Sequence, residues 1–182
     1  MTDLRIDAYD AAAATNQTRA VHRAHSDQYP PGPPIDAWRD GIWATHRARN
    51  GFDLLITRED EKVAGIVWGY VGDHGQYWTD LAAGSLSPDV AAAWLGDHFE
   101  VVELIVRPAY RRRGVGRQLL AGILERSDRS RALLSVDDVN VPARSLYESM
   151  GWEVLGSFTP GKSVMGVVLS HSAVRDRGAE DQ

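Results

Sequence analysis

The sequence predicts an α/β layered domain with a mixed sheet. Three observations carry that expectation. Short apolar, β-branched segments alternate with helix-period segments in the order β-α-α-β-β-(insert)-β-α-β-α-β-β. The chain's 182 residues fall in the single-domain range and can bury a full core. Residues 103–120 run a strand into a glycine- and arginine-rich turn that opens an amphipathic helix.

Taken in chain order, Leu4 to Ala8 reads as a first strand and Ala11 to His25 as a helix. Past Tyr29, the run Pro30, Pro31, Gly32, Pro33, Pro34 is a stiff connection that cannot be helical. A second helix is expected over Asp36 to Arg49, with Asp36 as its cap and Trp38, Ile42 and Trp43 facing inward. Phe52 to Thr57 and Lys62 to Val71 are β-rich and flank Glu59-Asp60-Glu61, which reads as a hairpin. Gly72 to His98 then forms a long connection with a short helix started by Pro88 and running through Trp94 and Leu95. Connections of that length tend to be functional or disordered. Beyond the strand at 101–106, Pro108 stops the ladder, and the next helix presents Leu119, Leu120, Ile123 and Leu124 on one face. Ala132 to Val136 is another buried strand, Val141 to Met150 a helix with Ala143, Leu146, Tyr147 and Met150 along one stripe, and Gly151 its terminator. Trp152 to Leu155 and Lys162 to Leu169 close the set. One domain is expected over residues 1–169, with 170–182 a polar tail that has too little apolar surface to order itself.

Composition excludes several classes. With no cysteine there is no disulfide, thiolate metal site or thiol nucleophile. The net charge of −5 argues against a general nucleic-acid binder, although residues 107–117 are locally basic. No signal or membrane segment is evident, which makes the cytoplasm the expected compartment. His22 and His25 lie three apart on a helix, but no third ligand accompanies them, so no metal site is expected. Ser85 and Ser87 lack the Gly-x-Ser-x-Gly elbow of a serine hydrolase.

The turn at 111–117 has the makings of a pyrophosphate site. Gly114 and Gly116 would let the backbone approach a ligand that a Cβ would push away. Free N–H groups at the helix start, with the positive end of its dipole, favour an anion. Arg111, Arg112, Arg113 and Arg117 add full charges around the same spot. No Lys followed by a hydroxyl residue is present, so this is no P-loop, and Leu119 stands where the dinucleotide fingerprint needs its third glycine. What remains is Arg-x-x-Gly-x-Gly, Arg111 to Gly116, preceded by a strand and a proline. Downstream comes Asn140-x-x-Ala143-x-x-Leu146-Tyr147-x-x-x-Gly151-Trp152. Together, in this order and separated by one helix and one strand, the two patterns resemble the signatures of the GNAT superfamily of N-acetyltransferases, with Trp152 where Phe is commoner.

That resemblance implies a mixed, mostly antiparallel central sheet flanked by helices, with acetyl-coenzyme A in a cleft between two splayed parallel strands, here 101–106 and 132–136. It implies that Leu104, Ile105 and Val106 offer backbone groups to the pantetheine and thioester. Arg111, Arg112, Arg113, Gly114, Val115, Gly116 and Arg117 would hold the pyrophosphate, and Asn140, Arg144 and Tyr147 would line the coenzyme arm. Tyr147 would also protonate the departing thiolate. An alkylammonium, with a pKa of about 10, must lose a proton before attack. Glu103 is the first candidate to take it, with pairing to a nearby arginine as the alternative, and Glu100, Asp80 and His98 follow. Asn140 suits a helix cap as well.

The acceptor is less defined. Trp78, Tyr77 and Asp80, with Asp73, form a mix suited to a cationic, partly apolar amine. Three readings therefore stand: acetylation of a small-molecule primary amine such as an aminoglycoside, acetylation of a protein lysine or N-terminus, and a coenzyme-binding module without turnover. A homodimer is compatible with all three, and no metal, nucleic acid or membrane partner is expected.

Overall fold

A computed structural model describes residues 4–170, so the tail expected over 170–182 lies, but for Ser170, outside the described residues. Seven strands form one sheet: β1 (Leu4–Asp10), β2 (Asp53–Glu59), β3 (Lys62–Gly72), β4 (His98–Val106), β5 (Arg131–Asp137), β6 (Glu153–Thr159) and β7 (Lys162–Val168). Their order across the sheet is β1-β2-β3-β4-β5-β7-β6. Every neighbouring pair is antiparallel except β4 and β5.

Seven α-helical segments cover the two faces: α1 (Thr18–Gln28), α2 (Ile35–Trp38), α3 (Ala44–Arg47), α4 (Tyr77–Ser85), α5 (Pro88–Trp94), α6 (Val115–Arg126) and α7 (Val141–Glu148). On one face, Val115, Leu119, Leu120 and Ile123 of α6 pack with Tyr147 and Trp152 against Val67, Phe99, Val101, Leu134 and Met165. This is the stripe the sequence displays. On the other face, α1 to α3 cover β2 to β4 through Val21, Trp38 and Trp43. Trp38 and Trp43 stack at 5.0 Å, and Trp43 Nε1 donates to Thr18 Oγ1, so the largest buried side chain also has its polar atom satisfied. α4 and α5 cover β5 to β7 on that same side, with Ala82, Leu86 and Leu95 on Leu133, Phe158 and Val164.

Four local expectations change. The first helix starts as a 3₁₀ turn at Ala13–Gln17, entered where Asp10 Oδ1 accepts from the N–H groups of Ala12 and Ala13. Asp36 lies in the first turn of α2, and Pro34 occupies the cap position. Between α2 and α3 runs a π-helical turn, Arg39–Trp43, whose wider pitch rotates the following residues. Trp38 and Trp43 both face inward as expected, whereas Ile42 is 51% exposed. Residues 72–98 are also more regular than a long loop: two helices dock their apolar sides on the sheet.

The feature that shapes the site is a bulge in β4. Trp68 pairs with Glu103 but Gly69 pairs with Val101, so Val102 is an extra residue. A Cβ on Gly69 would sit 2.4 Å from the Glu100 carbonyl oxygen and 2.7 Å from the Phe99 ring, and glycine alone allows β3 to come this close. A bulge bends and twists its strand, and β4 accordingly parts from β5: their ladder consists of Phe99↔Ala132 and Glu100↔Leu133. The bulge also resets the side-chain alternation. Phe99 and Val101, then Leu104 and Val106, belong to the α6 side, while Val102 and Ile105 belong to the α1–α3 side.

α7 ends as Gly151 predicts. Gly151 has φ +83°, its N–H donates to the Glu148 carbonyl, and the Trp152 N–H donates to that of Tyr147. This pair of bonds is the Schellman motif. It turns the chain directly into β6 and holds Tyr147 in the last full turn of its helix.

Candidate active site

Past Glu100 the parted strands leave one edge of β4 without a strand partner. The Arg107 N–H donates to the Ala64 carbonyl in β3. With a period of two, the Ile105 N–H faces β3 as well, and those of Leu104 and Val106 face the gap. Of the three backbone positions expected to meet the thioester arm, the geometry therefore offers Leu104 and Val106. The Val106 carbonyl on that edge already accepts from Arg111 Nε at 3.0 Å.

At the head of α6, Gly114 takes φ +80° as the N-cap, a left-handed conformation that a glycine adopts without strain. No side chain caps the first turn, and a Cβ on Gly114 would have nothing within 4 Å. Unoccupied N–H groups, an open backbone and the helix dipole fit a pyrophosphate. Gly116 serves differently from expectation: a Cβ there would meet Leu146 Cδ2 at 3.3 Å and Val106 Cγ2 at 3.5 Å, so it permits close packing of α6 against α7 and β4. Val115 is buried in the core, and only its backbone belongs to the turn.

The arginines divide their work. Arg111 also reaches Gln28 Oε1, Arg113 lies over the Tyr110 ring and pairs with Glu59, and Arg117 donates to Ser149 Oγ. Arg112 is exposed at φ +62°. All four remain at the surface around the α6 N-terminus, where each can still add charge to an anion site. Asn140 caps α7, its Oδ1 accepting from the Ala143 N–H at 3.3 Å. Arg144 pairs with Asp138 at 3.0 Å. Substituting Gly114 with Ala would force a Cβ onto a left-handed residue at a cost of about 1–2 kcal/mol. As the loop relaxes, acetyl-coenzyme A affinity is expected to fall about tenfold. Unchanged affinity by calorimetry in a folded Gly114→Ala protein would remove this glycine from the coenzyme site.

On the opposite side of the sheet, between α3 and α4, lies a cavity of about 330 Å³. Its floor is Tyr70, Glu100, Val101, Val102 and Ser135, and its walls carry His46, Arg49, Gln76, Tyr77 and Trp78. Glu100 is 3% exposed. Burial pushes its carboxyl up to about 8, partly offset by Tyr70, whose hydroxyl donates to Oε1 at 3.4 Å, and by Arg49. Its Oε2 is buried without a hydrogen-bond partner. His46 is lowered to about 4, first by burial and then by Arg49 and His25. Trp68 Nε1 donates to His46 Nδ1 at 3.3 Å, which leaves the ring proton on Nε2 of a neutral imidazole.

Glu103 stands outside this cavity. Its Oε1 accepts from the Tyr29 hydroxyl at 2.7 Å, and burial raises its pKa. Tyr147, 7% exposed, is raised to about 12 by burial first and by Glu103 second. Trp78 and Tyr77 line the cavity as expected, Trp78 anchored by stacking on Phe158 and by donating to Ser135 Oγ at 3.2 Å, Tyr77 82% exposed at the rim. Asp80 is not among the lining residues; its Oδ1 accepts from the Gly75 N–H and so fixes the turn before α4. His98 is wholly buried beneath Trp78, away from the cavity. His46 lies in α3 and Arg49 in the turn that follows it, Tyr70 comes from β3 and Ser135 from β5, and nothing in the spacing of these three regions marks them as neighbours.

The sheet opens between two parallel strands, β4 and β5, and the glycine-capped N-terminus of α6 offers uncapped N–H groups and a positive dipole end suited to an anion. The chain belongs to the GNAT acetyltransferase family, whose model matches residues 18–152, and acetyl-coenzyme A is the acetyl donor of that family. Among solved structures, the fold is similar to that of the ribosomal-protein-S18-alanine N-acetyltransferase of Escherichia coli, at TM-score 0.63 and 17% identity, covering 97% of this chain and 100% of the other. It is also similar to NAA60 of Arabidopsis thaliana in complex with acetyl-coenzyme A, at TM-score 0.62 and 15% identity, covering 92% and 99%. A third is yncA of Salmonella typhimurium with acetyl-coenzyme A, at TM-score 0.56 and 18% identity, covering 95% and 98%. A stretch of 58 residues is 43% identical to an uncharacterised protein of Mycobacterium leprae, covering 32% of this chain and 16% of that protein's length. Among the described residues, no helix is long and apolar enough to cross a membrane, and no group of His, Asp and Glu is placed to hold a metal ion.

Proposed function

We propose that this chain transfers the acetyl group of acetyl-coenzyme A to a primary amine of a small molecule, by direct attack in a ternary complex. One observation carries the reading: the β4–β5 ladder ends at Glu100, and there the gap between the strands meets an open-mouthed cavity floored by a buried carboxyl group. A cavity of this size, walled by Tyr77 and Trp78 on one side and by His46 on the other, suits a small acceptor better than an extended peptide.

Bound acetyl-coenzyme A supplies a thioester carbonyl for the amine to attack. Glu100 takes the ammonium proton, and its raised pKa places it near the working pH of a general base. This assignment moves the base from Glu103 to Glu100, because Glu100 lines the cavity and Glu103 is held by Tyr29. The Leu104 and Val106 N–H groups orient the acyl arm and polarise its carbonyl. The Tyr147 hydroxyl protonates the departing sulfur, and burial first, with the charge of Glu103 second, keeps that phenol protonated. With no cysteine, no thioester to the protein can form.

Free-thiol release from acetyl-coenzyme A, measured against a panel of small primary amines and short peptides, tests the reading. Turnover of a small amine with intersecting double-reciprocal lines is the expected result. Turnover of peptides alone would reject a small-molecule acceptor, and parallel lines would reject direct transfer.

A further inference from the structure

The charges inside the cavity select among amines. Its lining holds one carboxylate, Glu100, and one guanidinium, Arg49; the rest are neutral, His46 included. Arg49 forms none of the ion pairs found among the described residues, and its Nε is buried without a hydrogen-bond partner. A buried guanidinium edge without an acceptor is costly, and an anion placed against it recovers that cost. The acidic residues that would have greeted a polycation are elsewhere: Asp80 is spent on the Gly75 N–H, and Asp73 Oδ1 accepts from the His74 N–H.

Resting on the reading that this cavity takes the acceptor, we propose that the acceptor is a zwitterionic aminocarboxylate, its amine at Glu100 and its carboxylate on Arg49, with an apolar or aromatic side chain against Tyr70, Tyr77 and Trp78. Arg49 and the Glu100 carboxyl are more than a direct ion-pair contact apart, since no pair between them forms, and both border the same space; an ammonium placed against Glu100 favours its ionised form. A ligand with both charges bridges them and enters the cavity without net charge. An aminoglycoside brings only positive charge, which Arg49 repels.

The transfer step stays balanced: Glu100 takes one proton from the ammonium, the amine nitrogen bonds the acetyl carbon, the carbon–sulfur bond breaks as Tyr147 protonates the sulfur, and the second proton shed by the nitrogen restores the phenol. The acceptor carboxylate takes no part and serves only recognition. Arg49 is therefore a specificity residue, and its removal should change which amines are used.

The test is free-thiol release with the twenty standard amino acids, the matching amino-acid amides, tobramycin and a short peptide, using the wild-type chain, Arg49→Met and Arg49→Lys. Arg49→Met keeps the apolar stem and removes the charge. Arg49→Lys keeps a charge and covers the case in which the methionine variant fails to fold, which acetyl-coenzyme A calorimetry reports. The wild type should prefer the best amino acid over its amide by roughly 10- to 100-fold in kcat/KM, as a charge-assisted contact warrants. Arg49→Met should bring that ratio close to one, mainly through the KM of the amino acid, and Arg49→Lys should retain part of it. Small amines turned over with no carboxylate preference, or a preference unchanged in both variants, would overturn the inference while leaving the small-molecule reading standing. Turnover of the peptide alone would overturn both.

Discussion

Glu100→Gln is expected to lower kcat/KM by about 10²- to 10⁴-fold, the usual contribution of a positioned general base. The wild-type profile should rise with pH through about 8, the value to which burial pushes this carboxyl, because only the ionised form accepts a proton. In the glutamine variant that limb disappears, and the residual rate climbs only as the acceptor itself loses its proton, near pH 10 for a simple alkylamine. Stability supplies an independent reading of the same group. The folded-state pKa lies above the unfolded carboxyl value, so the folded protein binds the proton more tightly. Stability is then greatest below the unfolded pKa and falls as pH rises to about 8. The Tm of the wild type should decline between pH 5 and pH 9, and that of Glu100→Gln should decline less. A Glu100→Gln protein at full rate, with an unchanged profile, would move the base elsewhere, with Glu103 the next carboxylate along the strand.

Tyr147→Phe should reduce kcat by about 10²- to 10⁴-fold if the phenol is the main acid. It deletes one oxygen from a buried ring that packs on Trp152 at 5.8 Å, so the fold and coenzyme affinity should change little. A phenol held at about 12 is a weak acid toward an ordinary thiolate, whose conjugate acid lies near 8.5. In the proposed reaction, however, the sulfur also leaves in a buried setting, where burial raises the thiol pKa as it raises the phenol's and narrows the difference. The kcat profile of the wild type should therefore show no falling limb from this group below about pH 10. Unchanged kcat in Tyr147→Phe would leave the tyrosine as a packing residue of α7.

Much of the turn proposed to hold the coenzyme was legible as structure because its determinants are local. A strand, a proline, Gly114 at a left-handed cap and an amphipathic α6 follow one another within about twenty residues, and each is dictated by backbone sterics or by helix period. The same holds for Gly151, whose Schellman bonds close α7 where the sequence places its end. The acceptor side was read less well. Residues 72–98 look like an irregular insert because α4 and α5 are short and their apolar positions make sense only against Leu133, Phe158 and Val164, contributed by later strands. Ile42 was expected in the core, and a single π turn placed it at the surface.

The sequence by itself determined the order of the strands along the chain, the glycine-capped turn into α6 and the end of α7, because periodicity and glycine and proline geometry act over a few residues. Only the tertiary structure decided which carboxylate shares a space with an acceptor. In a regular strand Glu100 and Glu103 would point to opposite faces, and the extra residue at Val102, fitted against Gly69, brings both to the α1–α3 side. The same bulge parts β4 from β5 and opens the gap. The cavity then joins Arg49 from the turn after α3, Tyr70 from β3, Glu100 from β4 and Trp78 from α4. Their meeting depends on how the helices pack across the sheet, a long-range outcome that no spacing along the chain records.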